Sequence, residues 1–317
     1  MLTFFVANVS VAQAQQSAKI PRLGFQSAST PAALSARVGA FQLGLRELGY
    51  VEGKSISVEY RYAEGKLDRL DEFAAEFVRS KVDIIVTAAP GPTRAAKKAT
   101  STIPIVMAWD NDPVANGFVA SLAQPGGNIT GLSSLAPEIS GKQLELLKET
   151  VSRLSHVAVI GSSNPLNAPV LKEVELAAGA LKLKLQYLTV SAPKDIESAF
   201  RDTRKGRAGA VLVLSSPVLE AHRTEVADFA AKYRLPAIYH ATEYVDAGGL
   251  MFYGASITDL YRRAATFVDK ILKGRKPSDL PVEQPMKFEF IINLKAAKQI
   301  GLTIPPNVLV RADRVIR

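Results

Sequence analysis

At 317 residues, 47% of them hydrophobic, the chain is long enough to fold as two packed domains rather than one. Its formal net charge of +9 is spread without a block of five consecutive Lys or Arg, so no nucleic-acid-binding tract stands out. The lack of cysteine excludes disulfides, thiol catalysis, cysteine-ligated metals and lipidation of an N-terminal cysteine.

In chain order, residues 1–18 come first. "MLTFFVANVSVAQAQQSA" combines an apolar run with the small-x-small pattern Ala12-Gln13-Ala14, the back end of a secretory signal that lacks its positive start. No other stretch approaches the ~18 to 20 apolar residues that span a bilayer. The mature chain is therefore expected to be soluble, exported to the periplasm and not lipidated. From Arg22 onward, short β-branched runs alternate with helical patterns. Strands are expected at "RLGFQS", "SISVEYRY", "VDIIVTA", "IPIVMAW" and "ITGLSS", then at "HVAVIGS", "LKLQYLTV", "GAVLVLSS", "LPAIYH" and "GLMFYG", and late at "FEFIIN". Between them, steps of three and four residues put Leu34, Val38, Phe41 and Leu45 on one helix face, and likewise Leu260, Ala264, Phe267 and Ile271. Apolar strands covered by such helices imply parallel sheets buried on both sides.

The pattern runs through twice. It predicts an α/β fold of two doubly wound, Rossmann-like lobes: residues 19–133 plus 252–280, and residues 134–251 plus 281–317. The chain would cross between them three times, near Leu132–Ser134, Met251–Tyr253 and Pro281–Gln284, which makes a three-segment hinge.

In open parallel sheets ligands sit beyond the carboxyl ends of strands. The loops there are polar and punctuated by proline, which predicts a pocket between the lobes. Ser27, Ser29, Thr30 and Thr93 are candidates for the carboxylate end of a ligand, because helix N-termini offer free N–H groups and partial positive charge. Asp110 and Glu243 could face an ammonium or hydroxyl group. Trp109, Tyr239, Tyr244 and Tyr253 lie beside strand ends and could stack on a flat ligand. Ala89, Asn111, Asn164, Asn167, Ser215 and Ser216 complete the expected rim. Asp112 before Pro113 reads as the cap of an amphipathic helix.

Catalysis has no signature. No Gly-x-Ser-x-Gly elbow, nucleotide-binding glycine loop or i, i+4 histidine pair is present, and the spacing of Asp110 and Asp112 lacks the rest of a calcium loop. No cofactor and no metal are expected. Asn128-Ile129-Thr130 is read as a chance match to a glycosylation acceptor, with Gly126 and Gly127 making the turn into the next strand.

These stretches resemble the periplasmic substrate-binding proteins of ABC transporters, in the group of the tryptophan/tyrosine-binding type. The resemblance rests on "LGFQSAST", "FQLGLRELGYVEGKSISVEYRYAEGKLDRL", "IPIVMAWDNDPVANGFVASLAQPGGNITGLS", "PAIYHATEYVDAGGLMFYGAS" and "DLPVEQPMKFEFIINLKAAKQIGLTIPPNVLVRADRVI". It implies a type I periplasmic-binding-protein-like fold, hinge closure on a small organic ligand such as an amino acid or aromatic acid, and delivery to an inner-membrane permease, without nucleic acid and as a monomer. The alternatives are an enzyme on the same two-lobed scaffold, using Asp110, Glu243 or His240 as acid or base, and a ligand-sensing module of a receptor.

Overall fold

The computed structural model describes residues 20–162 and 168–317; the signal reading of residues 1–18 and the candidates Asn164 and Asn167 lie outside the described residues. The first sheet has five parallel strands in the order β2-β1-β3-β4-β5. These are β1 (Arg22–Ser27), β2 (Ser57–Tyr62), β3 (Ile84–Ala88), β4 (Ile105–Asp110) and β5 (Ile129–Ser133). The helices α1 (Pro31–Glu47), α2 (Arg69–Ser80) and α3 (Pro90–Ala99) make the crossovers. Every residue of β3, β4 and β5 is buried, as expected of parallel strands covered on both faces. Phe25, Phe41 and Leu45 pack on one side, and Phe77, Ile85 and Met107 on the other.

The chain then enters a seven-stranded sheet ordered β12-β11-β10-β9-β8-β6-β7. Its first elements are α4 (Ala136–Thr150), β6 (His156–Gly161), α5 (Ala168–Ala180), β7 (Lys184–Thr189), α6 (Asp195–Lys205) and β8 (Ala210–Val213). There follow α7 (Pro217–Ala221), α8 (Arg223–Lys232), β9 (Ala237–Tyr239), α9 (Thr242–Asp246) and β10 (Met251–Ala255). Helix α10 (Ile257–Leu272) returns to the first lobe, where Leu260, Tyr261, Ala264 and Phe267 join the α1 core. The chain then re-enters the second sheet as β11 (Phe288–Asn293), α11 (Leu294–Gln299), α12 (Pro306–Leu309) and β12 (Arg314–Ile316).

Three features differ from the sequence reading. Strand β11 runs antiparallel to β10, so the second sheet is not wholly parallel. Residues 252–255, placed with the first lobe above, are paired strand residues of the second sheet, and the chain leaves that sheet only after Ala255. Pro113 opens a hydrogen-bonded turn and no α-helix: Asp112 Oδ1 accepts from Ala115 N at 3.0 Å, and Phe118 N donates to Pro113 O at 2.8 Å.

Two of the crossing segments are bonded to each other. Ser133 N donates to Glu283 O and Glu283 N to Gly131 O, both at 2.9 Å. Gly131 has φ +135°, and a Cβ there would lie 2.2 Å from Met107 O, so the close approach of β5 to β4 beside the hinge requires glycine.

Candidate functional site

The carboxyl ends of β1, β3 and β4 in one sheet and of β8, β9 and β10 in the other face a common cleft. A cavity of about 50 Å³ lies there between the lobes. Trp109, Asn111 and Arg37 line it from the first lobe; Ile139, Gln143, Leu214 and His240 line it from the second. A smaller extension of about 30 Å³ shares Arg37, Trp109 and Ser215 with this cavity, and reaches Ser27, Ser29 and Ala89. The walls are mainly apolar, with a few convergent polar groups, the usual make-up of a small-molecule site. Ser29 Oγ and Ser134 Oγ are buried there and make no hydrogen bond within the protein. Gln143 Nε2 donates to the backbone oxygens of Tyr239 (3.2 Å) and Tyr253 (2.7 Å), so α4 is tied to β9 and β10 behind the wall.

The strongest electrostatic feature spans the cleft. Arg37 sits on α1 at the helical position of Leu34 and Phe41, three residues after one and four before the other, and is only 3% exposed. Its Nε donates to Glu243 Oε1 at 2.7 Å, and its Nη1 lies 3.7 Å from Glu220 Oε2, both on the second lobe. Glu220 Oε1 in turn accepts from Ser215 Oγ and lies 3.1 Å from His240 Nε2. Burial works against the guanidinium charge, but the two carboxylates outweigh it and raise the basicity of Arg37. Burial likewise opposes ionisation of Glu243, yet Arg37 holds that carboxyl down at about 2. Glu220 is also lowered: burial is outweighed by His240 and Arg37.

A second polar network lies behind the Trp109 wall. Asn116 Nδ2 donates to Asp110 Oδ1 (2.8 Å) and to Asn111 Oδ1 (2.7 Å). The backbone N–H of Asp112 reaches the same two oxygens, at 3.0 and 2.9 Å. Asp110 is fully buried, its Oδ2 has no partner in the protein, and burial pushes its carboxyl up to about 7 despite the hydrogen bonds from Asn116 and Asp112.

Ala89, on the wall of the extension, has φ +82° and ψ 164°, a region that only glycine occupies without strain. Its N–H donates to Trp109 O and its carbonyl accepts from Thr93 N. Replacing Ala89 by Gly is expected to raise stability by about 1 kcal/mol, after the greater unfolded-state entropy of glycine is subtracted. A denaturant midpoint that falls would show that this backbone is not strained.

Of the candidates read from sequence, the structure brings Ser27, Ser29, Ala89, Trp109, Asn111 and Ser215 to the cleft. Others are turned elsewhere. Thr30 Oγ1 accepts from Ala33 N and caps α1. Thr93 is fully buried against Thr87 Oγ1 at 2.8 Å. Ser216 is the buried residue that precedes α7, and Asp110 lies behind the wall. Tyr239 is core, stacked on Tyr244 with ring centroids 4.9 Å apart. Tyr253 packs on Phe288 and Phe290. Glu243 is committed to Arg37. Sequence reasoning missed Arg37, Ser134, Gln143 and Glu220; for Arg37 the signal existed, a charge inside the apolar stripe of α1. Among the described residues, no three His, Cys, Asp or Glu side chains are grouped as a metal site, and no helix is long and apolar enough to cross a membrane.

Comparison with known proteins agrees with this architecture. The family pattern described as "ABC transporter substrate binding protein" matches residues 26–316. A tyrosine-binding protein of Clostridioides difficile is 27% identical over 265 residues, which cover 83% of this chain and 75% of that protein. A conserved domain protein of Vibrio cholerae superposes with a TM-score of 0.88 at 30% identity, over 94% of this chain and all of that one. A Streptococcus ABC domain solved in complex with L-Trp gives a TM-score of 0.86 at 26% identity, over 93% and 99% of the two chains. With two lobes built on mainly parallel sheets, of the type I periplasmic-binding-protein kind, and a matching pattern along nearly its whole length, the chain belongs to the ABC transporter substrate-binding protein family.

Proposed function

We propose that the protein is the solute-binding component of an importer, taking an aromatic amino acid of the tryptophan or tyrosine class into the interlobe cavity by hinge closure and presenting it to a membrane permease. The observation that carries this reading is the cavity itself: an apolar chamber with an indole on its wall, lined from both lobes, beside the buried, unpartnered hydroxyls of Ser29 and of Ser134. A ligand that satisfies Ser29 on the first lobe and packs on Leu214 and Ile139 of the second favours the closed arrangement. The relatives that bind tyrosine and L-Trp point to the same ligand class. In this reading the chain acts outside the cytoplasm, without a lipid anchor and as a monomer. Its lobes move about the segments at residues 133–135, 255–257 and 280–284.

The test is a thermal-shift series with L-tryptophan, L-tyrosine and L-phenylalanine against aliphatic amino acids, sugars and nucleosides. At about a hundred times its dissociation constant, a ligand stabilises by roughly 2.7 kcal/mol, a shift of several degrees. A shift from an aromatic amino acid that is recovered unchanged supports binding without turnover. A shift from another class alone overturns the aromatic reading.

A further inference from the structure

Trp109 is placed by an irregularity in its own strand. Against β3, Met107 stands opposite Thr87 and Trp109 opposite Ala88; against β5, Met107 stands opposite Gly131 and Asp110 opposite Ser133, so β4 carries one extra residue on both sides. Strict alternation would send Trp109 to the side of Ile105 and Met107. It lies instead with Val106 and Ala108 on the side of α1 and α10, as a bulge beside a site re-aims a side chain. There the indole lines both the main cavity and its extension, a position shared, among the described residues, only with Arg37 and Ser215. Arg37 is held by Glu243 at 2.7 Å, and Ser215 Oγ donates to Glu220 at 3.1 Å. Of the three residues in the partition, Trp109 is the bulky one outside the ion-pair network.

The partition matters because the chambers are small. A water takes about 10–15 Å³ of such space, so the chamber of about 50 Å³ has room for roughly three to five water-sized groups and the extension of about 30 Å³ for roughly two or three. Neither holds an aromatic amino acid alone; a ligand of that class must reach across the partition. We infer that Trp109 sets the size limit of the site: its indole divides the interlobe space, so that among aromatic amino acids the site takes those with a single ring, and the fused rings of tryptophan fit only where the indole is cut back. The inference rests on the ligand class proposed above and names the members of it that this chain takes.

The test is calorimetric titration of wild type, Trp109→Leu and Trp109→Phe with L-phenylalanine, L-tyrosine and L-tryptophan. Wild type is expected to bind a single-ring ligand about tenfold or more tightly than L-tryptophan. Trp109→Leu is expected to move that ratio toward L-tryptophan by about tenfold or more, since room opened in an apolar wall favours the larger apolar ligand. Trp109→Phe should move it the same way by a smaller factor, and it reads the ratio alone should Trp109→Leu fail to fold. Loss of packing by itself would lower all three affinities together. Trp109 is the sole tryptophan of the chain, so its emission reports on the partition directly. L-phenylalanine, which does not absorb where indole is excited, is expected to shift that emission in wild type. Wild-type affinity for L-tryptophan equal to or above that for the single-ring ligands, a ratio that the variants leave unchanged, or an emission unmoved by bound L-phenylalanine overturns the inference while the proposed function stands. Failure of the wild type to bind any of the three overturns both.

Discussion

Replacing Arg37 by methionine is expected to weaken ligand binding by about a hundredfold or more while leaving each lobe folded. In the structure the guanidinium bridges the lobes to Glu243 and Glu220, with little of it exposed. Removing one partner of a buried ion pair costs about 3–5 kcal/mol, because the opposing charges stay desolvated. With the lobes apart, Glu220 and Glu243 regain water, so most of that cost falls on closure and hence on the closed, ligand-holding state. About 3 kcal/mol corresponds to roughly two orders of magnitude in affinity. Calorimetry reads the affinity, and small-angle scattering at saturating ligand reads the compactness. Adding Glu243→Gln to Arg37→Met should recover part of the loss, since one stranded carboxylate is then gone. An unchanged affinity for Arg37→Met would show that the cross-cleft pair contributes nothing to the closed state.

The second large effect concerns Asp110 and pH. Burial raises this carboxyl from 3.8 to about 7. Between those two values the folded chain holds a proton that the unfolded chain releases, so stability falls as pH rises through that window and levels off above about 7. The full span corresponds to about 4 kcal/mol. Asp110→Asn keeps an acceptor for Asn116 and Asp112 but cannot ionise. It is expected to match wild type near pH 4 and to exceed it by about 4 kcal/mol near pH 8, measured by urea unfolding of both proteins across the range. Parallel profiles for the two proteins would mean that Asp110 does not titrate in this window.

The fold was legible because buried parallel strands read as short continuous apolar runs; "DIIVTA" and "HVAVIG" sit within a residue or two of β3 and β6. The antiparallel turn of "FEFIIN" was not, since pairing direction leaves no mark on a strand's own composition. For the site, the loops were legible but the facing of their residues was not. Side chains alternate along a strand. Trp109 and Asn111 meet the cavity while Asp110 turns behind them; His240 meets it while Tyr239 turns into the core; Gly254 meets it while Tyr253 packs on Phe288. Reading each strand end as a block, without that period of two, gave Asp110, Tyr239 and Tyr253 roles that their neighbours hold. Arg37 lies in mid-helix, outside any strand-end loop, so a search of loops passes over it.

Helix α10 has a consequence for how the chain is made. The first lobe's strands are synthesised early, yet the α1 core that holds Phe41 and Leu45 is closed only by Leu260, Tyr261 and Phe267 of α10. Gly44 of α1 lies so close to the α10 backbone that an added Cβ would sit 2.3 Å from Arg262 O, a contact made only by a helix translated after the whole of β10. During synthesis the first lobe therefore emerges first and is completed late, after most of the second lobe has left the ribosome. The nascent chain carries an open apolar face through that interval, the kind of surface that chaperones hold.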